Sequence, residues 1–240
     1  HFDQGSVSAR SSATSLALQN KVSTLIEVRG VGINRTSFKR RIFTTFCIGL
    51  SYLETAYNEI EKVKSEISTA NAQKNNVVVT SKKEIYKDTL DFIDINSNKL
   101  IPLEVTLRNA MKSKPVLSRN RPLGYIIEAN QIELIEKLKI LGYQVKIINE
   151  TTNYKIETYK ISQYKLDAEK YEKMNLQEVE TLLTEESKSF PKGTFYIDLN
   201  QTGSSLITEI LEPEAANSFV SFGVLKTGMN EILPIYRHIH

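Results

Sequence analysis

Between residues 38 and 67 the apolar side chains recur at steps of three and four: Phe38, Ile42, Phe46, Leu50, Leu53, Tyr57, Ile60, Val63 and Ile67. On an α-helix that spacing forms one continuous stripe, and Glu54, Glu61, Lys62, Lys64 and Glu66 fall mainly off it. The pattern predicts one helix over 37–70, stopping before "NAQKNN". At 1.5 Å per residue it would run about 50 Å. A helix of that length often flanks a sheet or bridges two domains, so it constrains the fold more than any other segment.

The chain around it reads as alternating elements. Residues 1–20, rich in Ser and Ala, give a loop and a short helix. "VSTLIE" (22–27) is a short β-rich run closed by Gly30 and Gly32, which predicts a strand ending in a loop. Asn34, Thr36 and Ser37 then offer N-cap side chains to the long helix. Beyond it, "NNVVVT" opens a β-rich region with a hairpin turning at Asn96–Lys99. "SKPVLSRNRP" reads as a connector, followed by a β-α-β unit: strand 123–127, helix 130–140 stopped by Gly142, strand 143–149. Residues 153–166 alternate as an exposed strand pair, 175–188 read as helical, and 193–200 as a strand. "SSLITEILEPE" (204–214) reads as a helix opened by Ser caps and stopped at Pro213. The fold class is α/β, divided into residues 1–74, a strand plus the long helix, and an α+β unit at 75–240.

Composition removes several functions. A net charge of +3, without an aromatic-plus-basic motif, gives no nucleic-acid interface. No apolar run reaches the roughly 18 residues of a membrane span. The start "HFDQGSVSARSS" has neither the basic nor the apolar part of a signal peptide and lacks an initiator methionine, so a processed product or a piece of a longer chain is expected. One cysteine, Cys47, excludes an internal disulfide and a multi-cysteine metal site; inside the helix it reads as a small core residue.

The chemistry rests on "STLIEVRGVG" (23–32). Glu27 stands at the end of an apolar run, where open α/β sheets place ligands. A carboxylate there can take a proton from an attacking water as a general base. Arg29, two residues on, shares its side of an extended segment at about 7 Å. It can keep the carboxylate ionised or face an anionic substrate group; a plain structural ion pair fits the same spacing. Arg35, Lys39, Arg40 and Arg41 read as a solvated helix start whose cations, opposing the helix dipole, pair with nearby acids. Tyr154, Tyr159, Tyr164 and Tyr171 fit either a sugar- or peptide-binding face or the lining of a half-buried sheet.

The stretch "NKVSTLIEVRGVGINRTSFKRRIFTTF" resembles the final strand and helix of the zinc carboxypeptidase family, whose bacterial members show Leu-Ile-Glu-Thr-Arg-Gly-x-Gly and then an Arg-Arg helix. Here these are Leu25, Ile26, Glu27, Val28, Arg29, Gly30 and Gly32, then Arg40 and Arg41. "LALQNKVS" is similar to the segment upstream, with Gln19 in place of the family's arginine. "RPLGYII" and the Pro191, Gly193, Gln201, Leu211, Glu212, Pro213 series resemble the accessory region that follows the catalytic domain in larger bacterial members. The resemblance implies that the chain is the C-terminal part of a mixed α/β-sheet peptidase domain plus its accessory domain. It implies peptide or protein substrates, an exported or envelope location, and for Glu27 the role of general base and acid.

It also implies zinc, held in the family by His-x-x-Glu and a later His upstream of the glutamate. This sequence has only His1, His238 and His240, and no His-x-x-Glu. The expectation is therefore that the zinc ligands lie outside this chain and that the chain alone is inactive. Residues 1–73 are then expected to be covered by the missing part of the catalytic domain or by another copy, or to be poorly ordered. The alternative is a non-catalytic binding or assembly module derived from such a peptidase. A terminal pair, His238 and His240, offers at most a weak metal site on a tail.

Overall fold

The computed structural model describes residues 1–30, 32 and 34–239. Its elements are β1 (Phe2–Gln4), α1 (Ser12–Leu18), a 3-10 turn (Asn34–Ser37), α2 (Phe38–Asn58), α3 (Ile60–Ala72), β2 (Val77–Ile93), β3 (Leu100–Arg119), β4 (Gly124–Ile127), α4 (Ile132–Ile140), β5 (Lys146–Ile147), β6 (Thr152–Tyr171), β7 (Met174–Phe190), β8 (Phe195–Asp198), α5 (Ser204–Leu211) and β9 (Ile232–His238). The strands form a three-stranded sheet, β1-β3-β2, and a six-stranded sheet, β5-β8-β4-β9-β6-β7. Helices with two sheets give the expected α/β class.

The six-stranded sheet is antiparallel throughout. Its period of two sorts the apolar side chains onto two faces. Tyr125, Ile127, Tyr159, Ile161, Ile197, Leu233 and Ile235 lie in one cluster with Leu134, Ile135 and Leu138 of α4 and Leu206, Ile207 and Leu211 of α5. Ile126, Ile156 and Tyr236 join Ile148 and Phe190 in a second cluster on the opposite face. The β-α-β reading of 123–149 holds in outline: β4 and β5 run parallel, but β8 is inserted between them and pairs with both. Gly142 stops α4 with φ +90°, a left-handed conformation that a Cβ disfavours.

Several expectations are corrected. Residues 175–188 are not helical: β7 pairs with β6 from Phe190 to Met174. Its inward positions, Gln177, Val179, Thr181 and Leu183, fall at a period of two among helix-favouring glutamates. The link is the two-residue turn Glu172–Lys173, both at positive φ (47° and 73°), as a type I′ hairpin requires. Neither residue type announces such a turn. The connector begins later than expected, because residues 113–119 continue β3; Pro115 sits opposite Ser81, beside a register shift where a missing N–H costs little. The hairpin of β2 and β3 turns as expected, with Asp94 accepting from the N–H of Asn96 and Ser97 at 3.2 and 3.1 Å. α5 is capped by Gly203 rather than by serine.

The long helix is two. Glu59, with φ −110° and ψ 22°, ends α2 and starts α3. Neither helix has a buried residue. Phe46, Leu53 and Tyr57 are 64%, 71% and 83% exposed. Cys47 is exposed as well, not a core residue, because α2 packs on no sheet.

Candidate functional site

"VSTLIE" is not a strand here. Residues 21–28 have no regular secondary structure. A strand exists only through its ladder, and no described segment pairs with this one. It lies instead along the two helices, antiparallel to their course. Asn20 Nδ2 donates to Asn71 Oδ1 at 2.9 Å, and Tyr52 Oη donates to Thr24 Oγ1 at 2.7 Å. Arg40 Nη2 donates to the Arg29 carbonyl at 2.6 Å, and Ser37 Oγ to the Gly30 carbonyl at 3.2 Å. Between its first two tethers and the helices lies a shallow groove of about 400 Å³, walled by Val22, Thr55, Val63 and Ile67.

Glu27 and Arg29 are both exposed, between the Thr24 and Gly30 tethers. Among the described residues neither forms an ion pair. Leu25 and Ile26 beside them are 59% and 40% exposed. Gly30 is buried under Arg41: a Cβ there would lie 2.1 Å from Arg41 Cδ. The expectation that the helix-start cations pair with acids is not met among the described residues. Arg40 spends its guanidinium on a backbone carbonyl, and the Arg41 Nε is enclosed without a hydrogen-bond partner.

The tyrosines divide between the two faces of β6. Tyr159 is fully buried on the helix-covered face. Tyr154 stacks on Tyr196 at 6.0 Å on the other. Tyr164 donates to Gln177 Oε1 at 3.4 Å, and Tyr171 takes Arg10 over its ring at 5.0 Å. They line a sheet rather than one binding face. His238 contacts Tyr196 Oη through Nδ1 at 3.1 Å; His240 lies outside the described residues.

The densest polar centre forms around the Leu-Glu-Pro run that ends α5. Glu212 of the Leu-Glu-Pro run is fully buried. Its Oε2 accepts from Arg119 Nη1 at 2.7 Å, and its Oε1 from Tyr125 Oη at 2.6 Å and Arg237 Nε at 3.1 Å. Arg119 also grips Glu214 through two nitrogens, both at 2.7 Å, and Thr181 at 2.9 Å. Arg237 further reaches Glu157 and the Asn120 carbonyl. Burial pushes Glu214 up, but its hydrogen bonds and the charge of Arg119 overcome this and hold the carboxyl below its usual range. Burial raises the Tyr125 hydroxyl well above its ordinary value, and the Glu212 charge adds to it. The network ties β3, β4, β6, β7 and β9 to the end of α5. One signal was legible: in "ILPIYRH" Arg237 falls on the same alternation as Leu233 and Ile235. An arginine at an inward position of a strand needs a buried acid.

Comparison with known proteins gives one consistent likeness. The chain is 27% identical over 233 residues, 95% of its length, to carboxypeptidase 2 of Trichophyton rubrum. It is 26% identical over 233 residues to carboxypeptidase 2 of Trichophyton tonsurans. It is 24% identical over 208 residues, 85% of its length, to the probable carboxypeptidase 2 of Arthroderma benhamiae. It covers 43%, 43% and 40% of those proteins respectively, so it spans less than half the length of each relative. No family model matches the chain, and no solved structure does. At these identities the likeness supports a carboxypeptidase family and nothing finer.

Proposed function

We propose that this chain is the C-terminal portion of a zinc-dependent carboxypeptidase-like hydrolase, in which Glu27 moves the proton and Arg29 faces the substrate's terminal carboxylate. The observation that carries the reading is the likeness to proteins named carboxypeptidase 2, which runs nearly the whole length of this chain yet covers less than half of theirs. The exposed apolar run beside Glu27 and the uncovered faces of α2 and α3 support it, since both are surfaces that further polypeptide would bury.

The residues present do not fit a zinc site. Among the described residues no group of three His, Cys, Asp or Glu converges on a point where a metal ion could be held, whereas a catalytic zinc takes three protein ligands. In this reading the metal belongs to residues outside the sequence. What this chain supplies is a carboxylate and a guanidinium on one short segment. Glu27 accepts a proton from the water that attacks the scissile carbonyl. It then delivers that proton to the departing amine nitrogen, so the peptide bond is replaced by a carboxylate and a free amine. Arg29 binds the terminal carboxylate by charge-assisted hydrogen bonds, which selects the last residue of the peptide.

Sequencing the transcript upstream of His1 tests the reading. A continuous open frame carrying His-x-x-Glu and a later His is the expected result. A start codon immediately before His1 would overturn it in favour of a non-catalytic module.

A further inference from the structure

The loop between β3 and β4, the turn after β8 and the segment that follows α3 line an open cavity of about 630 Å³. It adjoins a second of about 390 Å³, and Lys74 and Arg121 line both. The acids that line these cavities already have cations. Asp198 takes Lys146 at 3.2 Å, Glu157 takes Arg237, and Glu185 faces Lys155 at 3.8 Å. Among the described residues neither Lys74 nor Arg121 has a carboxylate in ion-pair range, although the charge of Lys74 is felt at Asp198, which lines the same cavity. Lys74 Nζ donates only to Asn200 Oδ1 at 3.1 Å, and the Asn200 side-chain nitrogen Nδ2 has no acceptor among the described residues, while the residue's own backbone N–H donates to Asp198 Oδ1.

Arg121 is the more demanding of the two. It is partly buried, its Nε is enclosed without a partner, and its Nη2 donates to a neutral hydroxyl, Ser204 Oγ, at 2.5 Å. Ser204 opens α5, so the guanidinium sits against the positive end of a helix dipole as well. Desolvation pulls the guanidinium below its usual range, yet arginine cannot shed its proton to escape. A partly buried cation at a helix start, with a second cation lining the same cavity, is costly unless an anion joins it.

We propose that this cavity binds a phosphate-type oxyanion, held by Arg121 and Lys74, with the Asn200 side-chain amide as a further donor. A tetrahedral anion accepts from several directions at once, which suits three donors on three separate elements. The site stands apart from the peptidase chemistry and does not depend on it.

The test is calorimetric titration of inorganic phosphate into the full chain, with chloride adjusted to hold ionic strength constant. Saturable binding is expected. Arg121→Gln should weaken it about tenfold or more, and Lys74→Gln several-fold. Lys74 is exposed, so its variant decides the matter if Arg121→Gln fails to fold. Lys99→Gln, on the distant hairpin turn, should bind like the parent. A response no larger than that of chloride at the same ionic strength, or phosphate affinity unchanged in a folded Lys74→Gln and Arg121→Gln, would overturn the proposal.

Discussion

Two buried guanidinium groups converge on the carboxylate of Glu212, and this centre sets the residue-scale energetics. Truncating one partner of a buried ion pair costs about 3–5 kcal/mol, because the remaining charge stays desolvated. Glu212→Gln keeps the shape but removes the one carboxylate that Arg119 and Arg237 share, so urea denaturation should show a loss of that order. A change below about 1 kcal/mol would mean that Glu214 and Glu157 carry both arginines unaided. Glu209 is the opposite case: burial raises its pKa, and its side-chain partner is Asn217, at 2.8 Å, rather than a cation. Its folded-state pKa lies above the unfolded value, so the folded form holds the proton more firmly. Stability is therefore lost as pH rises through that folded value. Glu209→Gln, which can still accept from Asn217, should raise the Tm at pH 7 and give no gain at pH values where the parent carboxyl is protonated. An equal gain at both pH values would rule out ionisation as the cause.

Elements were legible where local pattern and tertiary partner agree. The 3-4 periodicity located α2 and α3, the alternation of 123–127 and 193–200 located β4 and β8, and Gly142 marked the end of α4. Three features were not legible, each for a different reason. β7 carries glutamates that favour a helix, and only its pairing with β6 makes it a strand. The turn that creates this pairing uses Glu172 and Lys173, without the glycine or asparagine that usually marks positive φ. "VSTLIE" has a strand's composition but no ladder partner among the described residues. Of the candidate site, Glu27 and Arg29 were legible as residues, while their setting was not: the expected strand end is an exposed segment tethered to two helices. The turn supplies a test at this scale. Lys173→Gly relieves a side chain held at φ +73° while keeping the contact of Glu172 with Arg10, and should stabilise the protein by about 1 kcal/mol. Unchanged or lower stability would argue against a strained turn.

At the scale of the whole molecule, the packed core and the candidate site lie in different parts. The two main clusters sit between residues 125 and 236, whereas no residue of α2 or α3 is itself buried. No helix among the described residues is long and apolar enough to cross a membrane, so the exposed stripe is not a membrane span. An apolar face of this extent needs a cover. Light scattering on the isolated 240-residue chain should show association, reduced when Phe46 and Leu53 are both replaced by Glu. A monodisperse monomer whose 1–73 segment resists protease would contradict that. The decisive measurement concerns one carboxylate in the intact protein. If Glu27 relays the proton, Glu27→Gln should lower the kcat for removal of a C-terminal residue by about 10²–10⁴-fold, with zinc content and KM little changed. Wild-type kcat in that variant would contradict the account.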